Sequence, residues 1–349
     1  MAASPRSQRL VLKALLSLPA PVLRLMSGGG VVYQGGRTLD PRLQYMAAQA
    51  RGSAPITRLP PEEARRVNAE GLSLIAGDPE PGVRWEPIIL PGPGGDVGAR
   101  LYRPPGQDPE APLMVWAHMG GGVIGDLETT HAFCTLLAAT GRGPVLSVDY
   151  RLAPEHRFPE GLEDVLAAYH WGRANAERFG APAAEAAIGG DSMGGAFAAA
   201  ICQMLKAAGE PQPGLQLLIY PCVDIASESA SMTTYADAFP LSRALMDWFM
   251  GHYMGPGDSP ADPRLSPLRA QDLTGLAPAV IVTAGFDPLL DQGEAYARRL
   301  KEAQVPTAYR CYDGLAHGFT AFTGAVPCAD VACREIAGLV REGFEGRIA

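Results

Sequence analysis

The sequence predicts an α/β fold: a mostly parallel central sheet with helices on both faces plus a helical cap. Three observations lead there. Apolar runs such as Leu113 to Ala117 and Val145 to Val148 are continuous rather than alternating, and helical segments separate them. Strands of a parallel sheet covered on both faces have that pattern. Gly190-Asp191-Ser192-Met193-Gly194 lies between an apolar run and an alanine-rich run, which reads as a strand turning sharply into a helix with a serine at the apex. Third, the alternation lapses between Pro221 and about Pro278. That interval holds a polar patch (Ser227 to Thr234) and an amphipathic stretch (Leu241 to Met254), which reads as an insertion that forms a lid.

Taken in order, residues 1 to about 80 read as helical. Arg9 to Met26 fits short amphipathic helices. Arg6, Arg9 and Lys13 precede an apolar Leu15-Leu16-Ser17-Leu18, but Lys13 interrupts that run, Pro19, Pro21 and Arg24 follow it, and no small-x-small site ends it. A signal peptide is therefore not expected, and the chain is placed in the cytoplasm. Asp40-Pro41 starts a helix through Gln49, with proline in the first turn. Pro60-Pro61-Glu62-Glu63 starts another through Leu74, with acids at its positive end. Gly77 to Gly82 is a linker. Val83 to Leu90 and Gly98 to Arg103 then read as two strands joined by a Pro/Gly hairpin. Further strands are expected at Ala186 to Gly189, Leu215 to Tyr220, Ala279 to Ala284 and Thr307 to Tyr312. Helices are expected at Thr129 to Ala139, Gly161 to Phe179, Gly194 to Ala208, Leu289 to Ala303 and Ala329 to Phe344.

Composition narrows the function. With 47% hydrophobic and 19% charged residues, the chain can bury a sizeable core. Its net charge of −8 argues against nucleic acid or an anionic membrane as partner. No run of about 18 uncharged apolar residues occurs, so no membrane span is expected. None of the six cysteines forms a C-x-x-C pair or a zinc-like cluster, and Cys134, Cys202 and Cys222 read as small core residues.

A serine hydroxyl is a weak nucleophile that needs a base, and the base needs an orienting acid. Ser192 at the apex of the turn is followed by two histidines, His252 and His317. His317 is favoured because it sits in a glycine-containing loop just after the last expected strand, where sites form in open parallel sheets. His252 lies mid-helix in the insertion. Asp287 directly follows the preceding strand and is favoured as the acid over Asp291, one turn into the next helix. An oxyanion would need preset N–H donors. The Met193 backbone can supply one, and the loop His118-Met119-Gly120-Gly121-Gly122-Val123-Ile124-Gly125 can supply others. His118 reads as a brace for that loop. The glycines do not fit a phosphate-binding loop, since no Lys-Ser/Thr follows.

Assembled, these residues resemble the bacterial branch of the hormone-sensitive lipase family of serine esterases, over roughly residues 35 to 345. The family's loop H-G-G-G-W-x-x-G, elbow G-D-S-A-G-G, acid segment D-P-L-x-D and base segment H-x-F stand here as His118 to Gly125, Gly190 to Gly195, Asp287 to Asp291, and His317-Gly318-Phe319. Tyr150 to Pro159 also looks like a family segment, of structural character. The resemblance implies an α/β-hydrolase fold and hydrolysis of short to medium acyl esters, with small-molecule esters as substrates and no cofactor or metal. It implies Ser192, Asp287 and His317 as the triad and Gly120, Gly121 and Met193 as oxyanion donors. It also leaves room for a homodimer. The implied organisation is a cap from residues 1–80 and 223–256 over a catalytic domain of residues 83–222 and 257–349.

Three departures stand out. Met119 replaces the usual first glycine, Gly122 the usual aromatic and Met193 the usual alanine. A positive φ at Met119 would be costly, so a negative φ is expected. Met119, Gly122, Asp191 and Tyr220 are expected in the substrate pocket, with two thioethers flanking the oxyanion site and Gly122 opening space. A non-catalytic ligand-binding protein on the same fold, or an amidase or peptidase using the same triad, are the alternatives.

Overall fold

The computed structural model describes residues 5–183 and 185–348. Residues 1–4, 184 and 349, which fall within the expected units 1–80, 83–222 and 257–349, lie outside the described residues. The chain enters through α1 (Pro5–Leu16) and α2 (Ala20–Met26), then a short hairpin of β1 (Tyr33–Gln34) and β2 (Arg37–Thr38). α3 (Pro41–Ala50) starts at Asp40, whose carboxylate accepts from the Arg42 backbone N–H at 2.8 Å. α4 (Pro61–Ile75) starts on proline with Glu62 and Glu63 in its first turn. The hairpin corrects the expectation of an all-helical entry: two-residue strands are too short to show a period.

The main sheet and its helices follow as β3 (Arg84–Gly92), β4 (Gly95–Arg103), β5 (Leu113–Ala117), α5 (His131–Gly141), β6 (Val145–Asp149), α6 (Glu160–Ala174), β7 (Ala186–Asp191), α7 (Met193–Ala207) and β8 (Gln216–Ile219). The interval after β8 carries α8 (Ala230–Thr234) and α9 (Arg243–Tyr253). β9 (Ala279–Phe286), α10 (Leu290–Glu302), β10 (Thr307–Ala316) and α11 (Pro327–Phe344) complete the chain. α8 lies inside the polar patch, where Ser229 caps it through the Met232 N–H. Among the described residues no helix is long and apolar enough to cross a membrane.

Eight strands form one sheet in the order β10-β9-β8-β7-β5-β6-β4-β3. β3 and β4 are antiparallel, β4 runs antiparallel to β6, and the remaining pairs are parallel. Strand β5 shows why its sequence is apolar throughout. Leu113, Val115 and Ala117 pack into one core with residues of α6, α7 and α10, while Met114 and Trp116 pack into the other with α5 and α11. Helix α7 is buried nearly all round, and its alanine and glycine residues let it lie close against the sheet.

The segment after β6 is an anchor. Arg151 grips Asp164 of α6 with two guanidinium contacts of 2.8 Å, and its backbone N–H reaches the same carboxylate at 3.0 Å. Arg151 also pairs with Glu160. Asp164 is fully buried, so its charge depends on this partner. Replacing Arg151 with alanine should lower the unfolding free energy by about 2–4 kcal/mol. The urea midpoint at neutral pH would report it, and an unmoved midpoint would contradict the anchor.

Candidate active site

The site begins where β7 stops. Ser192 occupies the single position between β7 and α7, at φ 55° and ψ −117°. That strained backbone lifts the side chain out of the sheet. The close turn excludes side chains on either side. A Cβ on Gly194 would stand 2.0 Å from the Ala117 carbonyl oxygen, and one on Gly190 would stand 2.3 Å from the Gly194 carbonyl carbon. The turn is tied to the neighbouring strand end, with Ser192 N–H donating to Ile219 O at 2.8 Å and Cys222 N–H donating to Ser192 O at 3.2 Å.

Two further strand ends meet Ser192. Asp287 follows β9 directly and is fully buried, and its Oδ1 accepts the Leu289 N–H at 2.8 Å. His317 follows β10 directly. Its Nδ1 lies 2.7 Å from Asp287 Oδ2 and its Nε2 lies 2.9 Å from Ser192 Oγ. A carboxylate can only accept, so Nδ1 carries the proton and Nε2 is left to accept from the serine hydroxyl. The three side chains thus form one line of hydrogen bonds at the C-terminal edge of the sheet, the edge where open α/β sheets bind ligands.

A family model described as alpha/beta hydrolase fold matches residues 114–321. The chain belongs to the α/β-hydrolase family. Within it the chain is a member of the hormone-sensitive lipase family. It is 41% identical to a carboxylic ester hydrolase, LipN, of Mycobacterium tuberculosis over 88% of this chain and 84% of that one. It is 36% identical to an ethyl acetate hydrolase of Pseudomonas putida over 79% of this chain and 88% of that one. Among solved structures, an α/β-hydrolase enzyme from the metagenome of Lake Arreo superposes with a TM-score of 0.84 at 42% identity, covering 88% of this chain and 99% of that one.

As an α/β-hydrolase, the chain carries its glycine loop beside the serine. Gly120 and Gly121 line the cavity above Ser192, and Gly120, Gly121 and Gly122 all have positive φ. Met119 is not among the positive-φ residues, as expected. Met193 is the first residue of α7, where helix N–H groups have no partner within the helix. His118 braces the loop: it is buried, stacks on Tyr150 at 4.3 Å, and its Nδ1–H donates to Met119 O at 2.8 Å. Burial lowers its pKa, which keeps the ring neutral.

Two cavities open on Ser192. The larger, about 390 Å³, is walled by Met119, His317 and Gly318 and by side chains from α1, α3, α4 and α9. The smaller, about 100 Å³, is walled by Met193, Cys222, Met250 and others. Met119 and Met193 therefore line different cavities.

Three residues expected in the pocket line neither cavity. Gly122 opens no space, because the Tyr253 ring covers it at 2.6 Å from where a Cβ would be. Asp191 and Tyr220 are fully buried. Tyr220 packs its ring against His317 at 4.6 Å and donates its hydroxyl to Asp191 Oδ2 at 3.0 Å. Thr320, three residues past His317, donates to the same oxygen at 2.8 Å. Asp191 therefore links the serine turn to the histidine turn. The two residues not favoured lie elsewhere. His252 packs on Trp248 in α9, and Asp291 holds α8 by accepting from the Ser231 N–H at 2.7 Å. Among the described residues no group of His, Cys, Asp and Glu is arranged to hold a metal ion.

Sequence reasoning missed Arg65. From α4 it donates to Val123 O and Ala153 O, both at 2.8 Å, and pairs with Glu155 at 2.6 Å. It also missed Phe249, whose ring lies against Gly121 and lines both cavities. Both contacts join distant parts of the chain, and neither has a local sequence signal.

Burial raises the Asp191 carboxyl to about 6, against the opposing effect of its Thr320 and Tyr220 hydrogen bonds. In the unfolded chain an aspartate titrates near about 4. Between those values the folded state holds more protons than the unfolded state, so this group's contribution to stability falls as pH rises. Asparagine cannot titrate. The stability of the wild type relative to Asp191→Asn should thus decline by about 2–3 kcal/mol between about pH 4 and about pH 7. Urea unfolding at both pH values measures it, and a constant difference would mean that Asp191 titrates normally.

Proposed function

We propose that the chain is a carboxylesterase that hydrolyses short- to medium-chain acyl esters through an acyl-enzyme, with Ser192, His317 and Asp287 as its triad. The observation that carries this reading is the unbroken line from Asp287 through both His317 nitrogens to Ser192, at 2.7 and 2.9 Å. The ester-hydrolase names of relatives at 36–41% identity support the substrate class.

In the first half-reaction Ser192 Oγ bonds to the ester carbonyl carbon as its proton passes to His317 Nε2. The carbonyl electron pair moves onto oxygen, and the backbone N–H groups of Gly120, Gly121 and Met193 hold the oxyanion. Collapse re-forms the carbonyl and breaks the bond to the alcohol oxygen, which takes the Nε2 proton. In the second half-reaction water gives a proton to Nε2 and bonds to the acyl carbon. Collapse then frees the acid and returns the proton to Ser192. Asp287 fixes the tautomer and stabilises the imidazolium between these steps. Water is the only co-reactant required.

We also assign residues 1–80 and 223–256 to a cap over residues 83–222 and 257–349. Side chains from α1, α3, α4 and α9 in the cavity wall support that division. Six unpaired cysteines fit a reducing compartment, and we place the enzyme in the cytoplasm.

Ser192→Ala should reduce kcat/KM for p-nitrophenyl butyrate by about 10⁴-fold or more with the urea midpoint little changed. Asp287→Asn should cost about 10⁴-fold in kcat by allowing the wrong tautomer. Turnover that survives loss of the Ser192 hydroxyl would refute the mechanism.

A further inference from the structure

The tetrahedral carbon formed at Ser192 has four substituents: the serine oxygen, the oxyanion, the alcohol oxygen and the acyl chain. The first two have fixed places, on Ser192 itself and at the backbone N–H groups. The alcohol oxygen must receive its proton from His317 Nε2, so it leaves on the histidine side. The larger cavity has His317 and Gly318 in its wall, and the smaller has neither. The smaller has Met193, next to the serine, in its wall. Proton transfer therefore directs the alcohol into the larger cavity and leaves the smaller one for the acyl chain.

Size and charge then set what each accepts. An apolar cavity of about 150 Å³ is enough to hold benzene. The smaller cavity, about 100 Å³, falls below that and suits a chain of a few carbons. Its lining also includes Arg243 paired with Glu228 at 2.6 Å and with Asp247 at 3.0 Å. A long alkyl chain reaching those ions would strip water from them, which is unfavourable. The larger cavity, about 390 Å³, has room for a ring and is walled by apolar groups such as Leu12, Met46, Val67, Leu72 and Phe249.

We infer that the two cavities divide the ester unequally, so that the preferred substrates are esters of short acyl acids with bulky apolar alcohols. The inference rests on the esterase reading and narrows it.

Two isomeric esters test it with the purified full chain. 2-Phenylethyl acetate and methyl 3-phenylpropanoate have the same atoms with the ester reversed. The acetate is expected to show at least about a tenfold higher kcat/KM, with p-nitrophenyl acetate hydrolysed in parallel. Equal or reversed rates, with p-nitrophenyl acetate still hydrolysed, would overturn the inference and leave the esterase reading intact. Failure to hydrolyse all three would overturn both. Met250→Ala should enlarge the acyl cavity and lower the acetate preference at least about threefold. A ratio that Met250→Ala leaves unmoved would also overturn the inference.

Discussion

Everything in this molecule that concerns chemistry depends on one backbone constraint, the strained turn at Ser192. A non-glycine residue at φ 55° costs about 1–3 kcal/mol and persists only where its surroundings hold it. Here the surroundings are the neighbouring strand end and the first turn of α7. Ser192 N–H is tied to Ile219 O, and Ser192 O receives both Cys222 N–H and Ala196 N–H. Tyr220, the residue after β8, is also at positive φ. The two strained positions thus lie at adjacent strand ends, and the Tyr220 ring packs against His317. The parallel sheet supplies the rigidity that keeps this strain in place.

That dependence explains what could be read from the chain. Ser192, Asp287 and His317 were legible because each directly follows a strand, and strands in a parallel sheet end at a common edge. Chain order alone then orders the chemistry. The burial of β5 on both faces was legible for a similar reason, since unbroken apolar sequence leaves no polar face. Asp191 and Tyr220 were not legible in the same way. Asp191 is adjacent to the serine in sequence and Tyr220 directly follows β8, but their role depends on which side of the sheet edge they face. The structure turns both away from the cavities, where a hydrogen-bonded group joins two loops instead of touching substrate.

Local reading ends at α4 and α9. Arg65 and Phe249 come from stretches about 180 residues apart in the chain, and both act on the same glycine loop. Arg65 holds the loop from the side of α4 through the Val123 carbonyl, while Phe249 and Tyr253 cover Gly121 and Gly122 from α9. Helix periodicity predicts that α4 and α9 exist and have an apolar face, but not which groove that face meets. The reading of Gly122 as open space failed for this reason. The space exists in the loop's own sequence, and a ring from another element fills it.

The two methionines separate backbone from side-chain function. A backbone N–H donor does not depend on its own side chain if the dihedral angles are ordinary, and the loop concentrates its unusual dihedrals at Gly120, Gly121, Gly122 and Gly125. Met119 precedes that run and escapes it. Met193 opens a helix, where any residue with helical dihedrals can offer its N–H. Their side chains are therefore free to vary without altering the backbone at either position, and the two residues line different cavities. A change at Met119 acts on the wall that includes His317, and a change at Met193 acts on the opposite one. The same turn that strains Ser192 thus lies between two walls that can be shaped independently.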